Sequence, residues 1–121
     1  MEAKLYSAVT GDQMSREELD DVGLRILTLF RALTARNMNE KDMRNKHDLA
    51  NDWVFDYPED KEPFTAGHSK MDRDDMEVGK DMLYTELGWD KTTGMPTRAT
   101  LERLNLRYVA DDLAQRGLLP A

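Results

Sequence analysis

The segment from Ser15 to Arg36, SREELDDVGLRILTLFRALTAR, constrains this chain more than any other. Read as a helix, it brings Leu19, Val22, Ile26, Leu29, Phe30 and Leu33 into one apolar stripe, which Leu24 and Leu27 widen. Gly23 falls beside the stripe, where the missing side chain would admit another backbone, at roughly 1 kcal/mol of helix propensity relative to alanine. Both ends are marked. Ser15 is an N-cap with Glu18 at the capping-box position, Glu17 and Glu18 suit the positive end of the helix dipole, and Arg31 and Arg36 suit the negative end. No other segment carries as much apolar surface, so the remaining helices are expected to pack onto this one.

The 121 residues suffice for one core and leave no room for a catalytic domain plus a cofactor domain, so a single domain over residues 1–121 is expected. Seventeen basic against 24 acidic residues give a net charge of -7, which argues against nucleic acid and against an anionic membrane surface as partners. The absence of cysteine excludes disulfides, thiolate zinc sites, iron–sulfur ligation and a cysteine nucleophile within this chain. No apolar run approaches the ~20 residues of a membrane span, and EAKLYSAVTG lacks the features of a signal peptide, so the expected compartment is the cytoplasm. The eight methionines are expected to fill gaps in a core.

Glu2 to Thr10 reads as a short helix with Leu5, Ala8 and Val9 at helical spacing and Gly11 as its left-handed cap. Between Asn37 and Lys70 the periodicity fades into a long irregular loop, broken only by a short helix near Asp48 to Trp53 that Asp48 would cap. Trp53, Phe55, Tyr57 and Phe64 are expected to pack this loop over the helices. The second strong helix is Asp72 to Leu87, capped by Asp72, with Met71 and Met76 as a hydrophobic staple and an apolar line through Met76, Gly79, Leu83 and Leu87. Val78 and Met82 lie on a neighbouring face. Gly88 ends this helix and places Trp89 to fold back on Tyr84. After a DKTTG turn, Thr97 starts a helix with Leu101 and Leu104, and Tyr108 to Arg116 forms another that stops at Gly117 with Leu118 folded back. With no strand-like alternation, the expected class is all-α, a compact bundle of about four to five helices around Ser15–Arg36.

Several constellations invite chemistry and are better explained without it. Asp20-Asp21-Val22-Gly23-Leu24 resembles the D-x-x-G-L signature of tungsten-pterin enzymes, yet it lies mid-helix and continues with Arg25 in place of cysteine or aspartate. Asp72, Asp74, Asp75 and Glu77 lack the alternating ligands and the glycine of a calcium loop, and they suit the start of a helix. His47 and His68 have no companion ligand at metal spacing and read as solvated loop residues, which leaves a small hydrolase built on either as the weakest reading. No nucleophile elbow or phosphate-binding glycine loop is present. The expected catalytic, cofactor-binding and metal residues in this chain are therefore none.

A family pattern carries more. The succession YSAVTG, GLRILTLFRALTARN, DRDDMEVGKDMLYTELGWDKTTGMPT and LERLNLRYVADDL resembles the extreme C-terminus of the aldehyde:ferredoxin oxidoreductases. Its most specific piece is Tyr84-Thr85-Glu86-Leu87-Gly88-Trp89-Asp90 with Gly94-Met95-Pro96-Thr97. The resemblance implies a three-domain parent that oxidises aldehydes or related small molecules at a tungsten or molybdenum bis-pterin centre and passes electrons through a 4Fe-4S cluster to a ferredoxin-like carrier. It implies equally that the cluster cysteines, the pterin signatures and the catalytic residues lie upstream of Met1, so this chain is a C-terminal fragment with no cofactor of its own. Such a fragment would supply scaffold and part of a substrate channel, would have the rest of the parent as its partner, and would leave an apolar, methionine-rich face bare that favours a dimer. Asn37 to Ala50 lacks the arginine-glycine stretch and leucine-proline pair often found there in the family, which points away from a simple aldehyde as substrate. The alternative reading is a free-standing acidic helical module that binds a protein partner.

Overall fold

A computed structural model describes residues 1–56 and 72–120. Among them the chain is all-α, with no strand beyond an isolated bridge between Trp89 and Pro96. The helices are α1 (Glu2–Thr10), α2 (Arg16–Met38), α3 (Met43–Lys46), α4 (Arg73–Leu87), α5 (Arg98–Arg103) and α6 (Arg107–Gln115), with a 3-10 turn at Asp52–Val54. Five of these match the expected segments, and the four-residue α3 is additional.

The helix ends follow from local chemistry. Ser15 accepts from the Glu18 amide at 3.1 Å while Glu18 accepts from the Ser15 amide at 2.8 Å, a complete capping box. Asp72 accepts from the amides of Asp74 and Asp75, and Thr97 from that of Thr100. Gly88 takes a left-handed conformation, φ 67°, which turns the Trp89 amide onto the Tyr84 carbonyl at 2.8 Å and brings the two rings to 6.3 Å. Gly117, φ 70°, lets the Leu118 amide reach the Leu113 carbonyl in the same way. Met71, one half of the expected staple, lies outside the described residues, as do Tyr57, Phe64 and His68.

Packing departs from expectation at α2. The large side chains of its stripe face solvent: Phe30 is 65% exposed, Ile26 53%, and Val22 and Leu33 41% each. The buried side is lined by Thr28, Ala32 and Ala35, about 150° around the helix from that stripe. Small residues there let α6 come close, and the core forms from Ala32, Ala35, Met43, Met95, Leu101, Leu104, Leu106, Ala110, Leu113 and Leu118. Of the other helices it is α6 that packs on this small-residue side of α2, with α5 packed in turn on α6 and Leu24 and Leu29 at the margin of the core. Gly23 receives no neighbour, since a Cβ built there meets nothing within 4 Å.

Two further expectations are corrected. The apolar line of α4 is not its buried side: Leu83 is 51% exposed and Gly79 opens on empty space, while Lys80 and Tyr84 are buried. No helix runs from Asp48 to Trp53. Asp48 spends its carboxylate on side chains of α2 and α4, and the only helical piece nearby is the 3-10 turn, preceded by Asn51. The loop holds more order than its composition suggests, because Asp42 caps α3 and Met43 is fully buried. Phe55 is buried, whereas Trp53 is 58% exposed. The methionines divide, Met43 and Met95 filling the core while Met38 and Met82 are exposed.

Candidate functional site

The densest concentration of polar chemistry joins α2, α4, α3 and the turn after α4. Asp48 is its centre. Its carboxylate accepts from Arg31 Nη2 at 2.6 Å and from Tyr84 Oη at 2.6 Å, and its other oxygen lies 2.9 Å from His47 Nδ1. Burial works to raise the Asp48 pKa, but the hydrogen bonds from Arg31, His47 and Tyr84 outweigh it and hold the group below the usual carboxylate range. The Tyr84 phenol moves the other way, pushed up by burial and then by the Asp48 carboxylate that it bonds. Arg31 also lies over the Trp89 ring, 4.8 Å from its centroid, and Trp89 Nε1 donates to Thr28 Oγ1 at 3.4 Å. Arg31 Nη1 is buried without a hydrogen-bond acceptor among the described residues, while its guanidinium lies against the Trp89 indole and the Asp48 carboxylate.

Arg44 forms a second hub a few ångströms along the same Tyr84 ring. From α3 it donates through Nε and Nη2 to Glu77, through Nη1 to Asp81 at 2.5 Å and to the Lys91 carbonyl at 2.7 Å, while its guanidinium sits 5.6 Å from the Tyr84 centroid. The buried Lys80 donates to the other Glu77 oxygen at 2.7 Å. Lys80 and Arg44 together hold Glu77 below its ordinary range. Gly94 is wedged between the two hubs at φ 69°, where a Cβ would stand 2.9 Å from Tyr84 Oη and 3.2 Å from the Arg44 amide.

Apart from Arg31 Nη1 these groups satisfy one another, and only Glu77 and Lys80 of the network border one of the described hollows, of about 190 Å³. The phenol is held protonated and the carboxylate ionised, which suits a brace that fixes tertiary structure and gives no poised acid or base. Sequence reading missed Arg44, Asp48 and Tyr84 as a unit because Asp48 and Tyr84 stand 36 residues apart and Arg44 and Glu77 33, so no local spacing announces them.

Those of the residues weighed earlier that are described are not brought together. Asp20 pairs with Arg16 and Asp21 with Arg103 on the surface of α2, and the acids from Asp72 to Asp75 serve the start of α4. His47 is 45% exposed beside Asp48. Among the described residues no group of three His, Cys, Asp or Glu is placed to hold a metal, and the chain has no cysteine to ligate an iron–sulfur cluster. No described helix is long and apolar enough to cross a membrane. Hollows open on the described surface: one of about 100 Å³ between α2 and α6, lined by Leu29, Leu33, Tyr108 and Val109, one of about 270 Å³ between the start of α2 and Arg103 to Asn105, and one of about 190 Å³ beside Glu77 and Lys80.

What the surface offers instead is apolar side chains without cover: Val22, Ile26, Phe30 and Leu33 on α2, and Val78, Met82 and Leu83 on α4. Against known proteins, the family model described as aldehyde ferredoxin oxidoreductase, domains 2 & 3, matches residues 1–106. No solved structure matches the chain.

Proposed function

Since the chain belongs to the aldehyde ferredoxin oxidoreductase family, in the region of its domains 2 and 3, we propose that it is the C-terminal helical scaffold of a tungsten- or molybdenum-pterin oxidoreductase. Residues 1–121 form one domain of that enzyme, and the bis-pterin metal centre and the 4Fe-4S cluster reside in polypeptide outside it. The parent oxidises a small carbonyl compound or a related substrate in the cytoplasm and hands electrons to a ferredoxin-like carrier. This domain turns nothing over by itself. It presents a braced helical surface to the rest of the enzyme and contributes to the wall of the substrate channel.

One observation supports the reading beyond the family match. The two longest helices each expose a run of large apolar residues, although the chain buries a separate and complete core elsewhere. A free protein gains nothing from this arrangement, whereas a domain seated in a larger body buries such faces against its neighbours, at about 25 cal/mol per Å² of apolar area. The test is elemental analysis of the purified chain, with an aldehyde-dependent dye-reduction assay. Substoichiometric tungsten, molybdenum and iron with no turnover are expected. A stoichiometric metal, or unaided oxidation of an aldehyde, would overturn the proposal.

A further inference from the structure

We draw no further inference here: the strongest candidate, the exposed apolar stripe of Val22, Ile26 and Phe30 along α2 with Gly23 at its edge, carries nothing because nothing in the structure shows what covers it.

Discussion

At Gly94 the backbone and its surroundings make the same demand. Its φ of 69° is a conformation that costs other residues roughly 1–2 kcal/mol, and an added Cβ would stand 2.9 Å from Tyr84 Oη and 3.2 Å from the Arg44 amide. Neither neighbour can yield, since Tyr84 is fixed by Asp48 and the Arg44 amide donates to the Thr93 carbonyl at 2.9 Å. Gly94→Ala is therefore expected to lower unfolding free energy by about 2–4 kcal/mol in a urea titration, the sum of backbone strain and overpacking. Gly11 supplies the control: its φ is 82° but nothing lies within 4 Å of its Cβ, so Gly11→Ala should lose only the conformational part, about 1 kcal/mol. Equal losses at the two positions would mean that the Tyr84–Arg44 wedge is not tight.

Among the elements, what was legible in the sequence is what local chemistry decides. The Ser15 capping box, the Thr97 cap, the Gly88 turn with Trp89 on Tyr84, and the Leu118 fold-back all involve partners within five residues of each other. Orientation was not legible. A hydrophobic stripe leads one to expect Ile26 and Phe30 inside, but it does not say which side of α2 the rest of the chain covers, and here the small residues Ala32 and Ala35 face inward. The same blindness hid the Asp48 network, whose members come from three separate segments. The inversion of α2 has a direct test. Phe30→Ser should leave the midpoint of the isolated chain within about 0.5 kcal/mol, as surface changes do, while Ala35→Leu should cost about 1–3 kcal/mol by overpacking a fully buried site. If Phe30→Ser is the more damaging of the two, α2 packs by its large residues after all.

For the whole molecule, the brace around Asp48 ties folding to pH at both ends of the range. Asp48 and Glu77 are depressed in the folded state from ordinary values of 3.8 and 4.5, so their contribution is complete above those values and is lost as pH falls through the lower, folded ones. Glu77 is half exposed and screened, which leaves Asp48 the larger share. Tyr84 is raised from an ordinary 10.0, so its contribution is complete below 10.0 and is lost as pH climbs toward the folded value. Thermal unfolding followed by circular dichroism should thus show a plateau between about pH 5 and 9, an acid limb below about 4 and an alkaline limb above about 10. Two variants separate the causes. Tyr84→Phe removes the titrating phenol and should flatten the alkaline limb. Asp48→Asn removes the negative charge that Arg31 and Tyr84 share and leaves one acceptor oxygen in place of two, so it should lower the plateau by about 1–3 kcal/mol and flatten the acid limb. It should only soften the alkaline limb, because burial contributes more than Asp48 to raising the phenol. An acid limb unchanged in Asp48→Asn would assign the low-pH transition to the surface carboxylates, and the segment after α3 would then be held by packing of Met43 and Phe55 with no help from the ion pair.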